Sequence, residues 1–169
     1  MSDLIRGARV TLRPLAEADL PRVLHILLQP EVAEWWPGYD LVRLRADTFG
    51  DPEAVPLAVE LDRALIGMVM YSEVSDAYYR SAGIDIALDA TCSGQGLGSD
   101  TIRALAHHLF DERGHHRLTI DPAVANKRAI AAYRKVGFRD VGVARAYEKG
   151  ADGSWHDNLL MDMLAGELR

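Results

Sequence analysis

Residues 81–110 read SAGIDIALDATCSGQGLGSDTIRALAHHLF, and this stretch decides the fold. Ser81–Asp89 is mostly small or branched apolar residues, which predicts a strand buried on both faces. Thr91–Ser99 then places glycine at 94, 96 and 98. Beyond it Leu97, Ile102, Leu105, Leu109 and Phe110 recur at helical spacing, with Ala104 and Ala106 between them. The stretch is a strand, a glycine-rich turn and a helix. Glycines at the mouth of a helix let the backbone turn its unsatisfied N–H groups outward. With the helix dipole, those groups make an anion site suited to phosphate. The spacing is not that of a P-loop, since no Gly-Lys-Ser/Thr follows, nor that of the dinucleotide fingerprint G-x-G-x-x-G. A plain turn has the same composition, so the phosphate reading leans on the rest of the chain.

Upstream, Val10–Leu15 alternates and predicts a first strand. Glu17–Gln29 predicts a helix with Leu20, Val23, Leu24, Leu27 and Leu28 on one face, stopped by Pro30. Val32–Tyr39 is a loop rich in aromatics, and Asp40–Phe49 a second helix with Leu41, Leu44 and Phe49 inward. Val55–Leu61 and Leu65–Val74 flank Asp62-Arg63-Ala64 as a hairpin. Downstream, His116–Ile120 is a short strand ending in Asp121-Pro122, where proline blocks further pairing. Asn126 caps a helix striped by Ala129, Ile130, Tyr133 and Val136 and ended by Gly137. Phe138–Tyr147 and Trp155–Leu164 are strands joined by a turn-rich segment. The order β-α-α-β-β-β-α-β-α-β-β predicts an α/β (α+β) fold with a mixed, mainly antiparallel seven-stranded sheet and helices on both faces. No repeat, low-complexity run or linker interrupts residues 1–169, which are expected to form one domain.

A net charge of −6 argues against a nucleic-acid partner and suits a cationic substrate. The single Cys92 excludes an internal disulfide, and without CxxC or HExxH no metal site is expected. The N-terminus has no apolar signal region, and no run approaches the ~18 apolar residues of a membrane span, so a cytoplasmic protein with no membrane partner is expected. Asp85 stands in an otherwise apolar strand, where an unpaired charge is costly. It either pairs with an arginine such as Arg80 or faces a substrate. Trp35 and Trp36 cannot both point inward from a regular strand, so at least one is exposed or in a pocket, where a flat ring suits sugars and cations.

The strand–SGQGLG–helix unit is followed by Asp121-Pro, Asn126-Lys-Arg-Ala-Ile and Tyr133-Arg-Lys-Val-Gly-Phe138. Together these resemble the GNAT superfamily of acyl-CoA N-acyltransferases. That family's pyrophosphate loop, Arg/Gln-x-x-Gly-x-Gly/Ala, is here Ser93-Gly94-Gln95-Gly96-Leu97-Gly98. Ser93 in place of Arg or Gln removes a side-chain contact but leaves the amides. The resemblance implies acetyl-CoA as cosubstrate, with its diphosphate held by residues Ser93, Gly94, Gln95, Gly96, Leu97, Gly98 and Ser99. It implies a sheet splayed between strands four (Ser81–Asp89) and five (His116–Ile120). The pantetheine arm would lie along the free backbone groups of Ile86, Ala87 and Leu88, within reach of Asn126, and the Ile86 amide would face the oxyanion formed during transfer.

A narrower pattern, Glu34-Trp35-Trp36, Gly83-Ile84-Asp85 and Asp121-Pro122 before Asn126, is similar to the aminoglycoside 6′-N-acetyltransferases. There the strand aspartate is proposed as general base and the helix tyrosine as acid, roles that fall by position on Asp85 and Tyr133. Tyr133 is alternatively a core residue of its helix stripe, and Asp121 alternatively a turn cap. An amine is mostly protonated at neutral pH and must lose a proton before it attacks a thioester, which calls for such a base. Glu34, Trp35, Trp36, Tyr39, Asp85 and Asp121 would shape the acceptor pocket. Direct transfer in a ternary complex needs no nucleophile, so Cys92 has no acyl-enzyme role. The same chemistry on a lysine or hydroxylysine side chain or a protein N-terminus remains open, as does a CoA-binding module without turnover. Relatives of this family pair through a strand edge, so a homodimer is a further expectation.

Overall fold

The computed structural model describes residues 4–169. Strands β1 (Ile5–Arg6) and β2 (Val10–Pro14) come first. They are followed by helices α1 (Leu20–Leu27), α2 (Pro30–Ala33) and α3 (Leu41–Arg45) and by strands β3 (Ala54–Leu61), β4 (Ala64–Val74) and β5 (Ser81–Leu88). Helix α4 (Leu97–His107), β6 (Arg117–Ile120), α5 (Lys127–Val136), β7 (Arg139–Lys149) and β8 (Trp155–Leu164) complete the chain. The strands form one eight-stranded sheet in the order β1-β2-β3-β4-β5-β6-β8-β7. Every neighbouring pair is antiparallel except β5 and β6. This is the mixed, mainly antiparallel sheet expected, with one strand more than the seven read from the sequence. The addition is β1, two residues that are too few to show an alternation.

Each face of the sheet carries its own core. On one face Leu12, Val59, Ile84 and Leu118 meet Ile102, Leu105 and Leu109 of α4 and its extension, and Ile130 and Val136 of α5. On the other, Ala58, Met68 and Ala87 meet Leu20, Val23, Ile26 and Leu27 of α1 and Leu44 of α3. Consecutive residues of β5 thus serve different cores, as expected of a strand covered on both sides. The β3–β4 hairpin closes through Asp62 and Arg63, at φ of 50° and 69°. Two left-handed residues match the twist of the strands, as type I′ turns do.

The α1–α3 region departs from the expected helices. The first helix ends before Pro30 as expected, with Gln29 extended, but Pro30 then opens the short α2 as its first residue, where its missing N–H costs nothing. The helix expected over Asp40–Phe49 is α3 capped by the Asp40 carboxylate, followed by one widened turn over Ala46–Gly50. The wide turn breaks the helical period after buried Leu44, and Phe49 is exposed; Leu41, the first residue of α3, is exposed too. Leu28 is exposed as well, just past the last turn of α1.

The β1–β2 turn is fixed by a residue far along the chain. The Asp100 carboxylate, in the first turn of α4, accepts the N–H groups of Ala8, Arg9 and Val10 at 2.8, 2.8 and 3.0 Å. A Cβ at Gly7 would sit 2.8 Å from that carboxylate. At the end of α5, Gly137 adopts φ +130°, and a Cβ there would lie 2.2 Å from the Glu167 carbonyl oxygen. Gly137→Ala is therefore expected to cost about 3 kcal/mol and to lower Tm by about 6–12 °C in a calorimetric scan. An unchanged Tm would show that the C-terminal segment does not pack there.

β5 and β6 pair only at Ala82–Leu118 and Gly83–Thr119. From Ile84 onward β5 remains paired with β4 but has no partner on its other side, so the sheet opens there. The splay lies between the strands for which it was expected.

Candidate active site

A cleft of about 1570 Å³ opens at this splay. Ile84, Asp85 and Ile86 of β5 line it, as do Ile120 and Asp121 after β6 and Asn126 and Tyr133 of α5. The segment Ala33–Tyr39 closes one side and the β7–β8 ends the other.

The Asp89 N–H donates to the Ile66 carbonyl on β4 at 2.7 Å. Alternation along β5 then turns the Ala87 backbone toward β4 and those of Ile86 and Leu88 toward the open side. Ile86 and Leu88 can therefore offer backbone groups to a ligand in the splay. Ala87, expected with them, cannot: its polar groups belong to the β4 ladder and its side chain is buried in the α1-side core.

The glycine-rich turn is built as its sequence suggests, with one correction. Asp89 caps a short turn by accepting from the Thr91 N–H, and the Ser93 N–H already donates to the Ala90 carbonyl at 3.1 Å. Ser93 therefore has no free amide, and the available donors begin at Gly94. Gly94 and Gly96 hold left-handed φ of 74° and 76°, which glycine adopts without strain. Among the described residues no acceptor takes the N–H groups of Gly94, Gln95, Gly96, Leu97, Gly98 or Ser99. These six amides stand at the N-terminus of an 11-residue helix, an arrangement that fits a diphosphate. The Gln95 side chain bonds back to Thr91, and its carbonyl accepts from Arg9 Nη1 at 3.0 Å. That arginine had no signal in the local sequence.

Asp85 is exposed to the cleft, with protein around it on several sides. Arg80, its candidate partner, instead donates to the Arg113 carbonyl. No cation pairs with Asp85 among the described residues. Burial, then the nearby Asp121 and Glu148 carboxylates, push its carboxyl up to about 6. Asp121 is raised too, first by burial and against the pull of the Tyr147 O–H, which donates to it at 2.9 Å. Tyr133 lies half-buried on the same cleft, its ring 6.2 Å from that of Phe138. Burial and then the Asp85 and Asp121 charges raise its hydroxyl well above the ordinary phenol value. Its hydroxyl has no protein partner among the described residues. Asn126 both caps α5, accepting from the Ala129 N–H at 3.2 Å, and lines the cleft.

Glu34, Trp35, Trp36 and Tyr39 all border the cleft, with Glu34 at its exposed rim. Trp36 stacks at a tilt on Tyr39, 5.7 Å between centroids, and packs against the α1-side core. The Tyr39 ring carries the Arg43 guanidinium at 4.1 Å, and its hydroxyl donates to Asp47 at 2.9 Å. Its polar end is thus committed within the protein, while Trp35 offers the freer ring. Sequence reading missed Tyr147, Glu148 and Asn158. Asn158 is 2 % exposed and donates to the Asp121 carbonyl and to Glu148 Oε2 at 2.8 and 3.0 Å. No periodicity signals these three, because β7 is irregular where they meet.

No helix among the described residues is long and apolar enough to cross a membrane. No group of three His, Cys, Asp or Glu placed to hold a metal occurs among them.

Comparison with known proteins agrees with this geometry. Residues 9–139 match the family described as the acetyltransferase (GNAT) domain. The chain is 30% identical over 153 residues to aminoglycoside N(6′)-acetyltransferase type 1 of Klebsiella pneumoniae, spanning 79% of this chain and 75% of the relative. Among solved structures it is similar to Mycobacterium smegmatis RimJ in complex with CoA-disulfide, with a TM-score of 0.86 and 26% identity over 99% of this chain and 90% of that one. It is also similar to AAC(6′)-Ib in complex with paromomycin and acetyl-CoA, with a TM-score of 0.76 and 26% identity over 94% and 96% of the two chains. With an open sheet split beside a glycine-rich helix mouth and a family match over most of its length, the chain belongs to the GNAT family of N-acetyltransferases.

Proposed function

We propose that the protein transfers an acetyl group from acetyl-CoA directly to a polycationic amine, the 6′-amine of an aminoglycoside, within a ternary complex. The observation that carries this reading is the convergence of Asp85, Asp121 and Glu148 on one cleft that also holds the splayed edge of β5. Three neighbouring carboxylates disfavour one another, none of them ion-paired among the described residues, and an acceptor with several ammonium groups relieves that repulsion. The relative that acts on aminoglycosides, and the neighbour solved with paromomycin, support the same choice.

Acetyl-CoA supplies the acyl group as a thioester. Amides Gly94–Ser99 grip its diphosphate, and Ile86, Leu88 and Asn126 align its arm along the open side of β5. The Ile86 N–H donates to the thioester oxygen as negative charge builds there. Asp85 takes a proton from the substrate ammonium, directly or through one water. As the C–S bond breaks, Tyr133 gives its hydroxyl proton to the departing sulfur, and the second proton of the acylated nitrogen leaves through water and restores the Tyr133 hydroxyl. Trp35 and Glu34 border the far end of the acceptor.

Free-thiol release from acetyl-CoA with a panel of kanamycin-like aminoglycosides, linear diamines and a peptide with a free N-terminus tests the reading. Turnover is expected to be highest with the aminoglycosides. Faster turnover of the peptide would replace them as acceptor, and no thiol release with any amine would leave only a CoA-binding module. Tyr133→Phe is expected to lower kcat about tenfold or more while leaving KM for acetyl-CoA within about threefold. The reverse pattern would assign Tyr133 to binding.

A further inference from the structure

The β7–β8 pairing shifts register twice, once between Asp140 and Gly142 and again between Ala144 and Glu148, and the second shift lies at the cleft. Ala144 pairs with Asn158 and Glu148 with His156. Between those pairs β7 has Arg145, Ala146 and Tyr147 where β8 has only Asp157. Two extra residues are thus packed into β7 at the wall of the cleft. Ala146, in their middle, sits at φ +48°, a left-handed conformation that an L-residue with a Cβ adopts only when held there. The hold is visible: the Ala146 N–H donates to Asp157 Oδ1 at 2.8 Å. Asp157 is itself tied to the cleft floor, since its carbonyl accepts from the Val124 N–H at 2.9 Å.

The kink has a consequence for side chains. Consecutive residues of a regular strand point to opposite faces, yet Tyr147 and Glu148 both reach the same cluster. Tyr147 O–H donates to Asp121 Oδ2, and Glu148 Oε2 accepts from Asn158 Nδ2, whose other hydrogen goes to the Asp121 carbonyl. Unkinked pairing would carry Glu148 two registers further, roughly 7 Å along the strand and away from Asp121. Bulges re-aim side chains in this way beside functional sites.

We propose that Asp157 is a positioning residue for acceptor specificity: by accepting the Ala146 amide it holds the β7 kink that brings Tyr147 and Glu148 onto Asp121. Glu148 then meets a second ammonium group of an acceptor whose reacting amine lies at Asp85. This rests on the polycation reading above. Acceptors with one amine need only Asp85 and are insensitive to the kink.

The test compares KM for an aminoglycoside with KM for a single-amine acceptor in purified variants. Asp157→Ala is expected to raise the aminoglycoside KM about tenfold, the loss of one charge-assisted hydrogen bond and the carboxylate it places. KM for the single amine and for acetyl-CoA should stay within about twofold. Asp157→Asn keeps the acceptor oxygen and should restore the wild-type preference. Adding Ala146→Gly to Asp157→Ala should restore part of it, because glycine takes the left-handed conformation unaided. Combining Asp157→Ala with Glu148→Gln should be no worse than the poorer single variant. A preference that survives Asp157→Ala, or is lost equally in Asp157→Asn, overturns the inference while leaving the polycation reading intact. If Asp157→Ala alone does not fold, the double variant with Ala146→Gly decides: a preference weaker than that of the wild type is expected, and an undiminished one overturns the inference. A wild-type enzyme with no preference for polycations overturns both.

Discussion

Asp85→Asn is expected to lower kcat by about a thousandfold, within the range that general-base removal produces, with CoA affinity unchanged. The amide keeps the shape of the side chain and cannot take the ammonium proton. In the wild-type protein kcat/KM should rise with pH through about 6, where the Asp85 carboxyl ionises. The residual rate of the variant should show no such step. Stability should move the other way. The folded-state carboxyl titrates above its ordinary value of 3.8, so between about 4 and 6 the folded protein holds a proton that the unfolded chain has released. Stability is therefore lost as pH rises through that window and stays lower above it. Asparagine carries no charge to desolvate, so at pH 7 and above the variant should melt no lower than the wild type. A variant with near-full rate at neutral pH would remove Asp85 as the base. A variant that melts well below the wild type at high pH would make Asp85 a structural residue.

Gly96→Asp is expected to weaken CoA binding about a hundredfold, close to 3 kcal/mol. Gly96 holds φ +76°, and no atom lies within 4 Å of where its Cβ would stand. Aspartate is among the few L-residues that tolerate this conformation, so the protein should still fold. Its carboxylate would sit at the positive end of α4, compete for the Leu97–Ser99 amides and repel a diphosphate. Gly96→Asn brings the same bulk without the charge and should weaken binding by no more than about fivefold. Calorimetric titration with CoA reads both. Equal losses in the two variants, or none, would place the diphosphate elsewhere.

Much of this site was legible because its signals are local. Glycines at 94, 96 and 98 announced the mouth of α4, Asn126 the cap of α5, and Asp121-Pro122 the end of β6. Asp85 stood out as a charge in an apolar run. The omissions share a cause, which is that each depends on residues far apart in the chain. Asp100 binds the β1–β2 turn across more than 90 positions, and Arg9 meets Gln95 across 86. Ser93 and Ala87 fell within the right motifs, but a turn hydrogen bond and the β4 ladder had already claimed their amides. Arg80 was a reasonable partner for Asp85 by proximity in sequence, yet strand direction carries it to the Arg113 carbonyl.

By itself the sequence determined the succession of elements, the helix mouth with its outward amides and the presence of a carboxylate on the strand beside it. Those follow from side-chain periodicity, from the φ freedom of glycine and from the cost of an unpaired charge, all of which act over a few residues. Only the tertiary structure decided which strand edges part at Ile84, which amides of β5 remain unclaimed and which acids share the cleft. The β7 kink belongs to that second group: alternation predicts that Tyr147 and Glu148 diverge, and a single acceptor on the facing strand reverses the outcome.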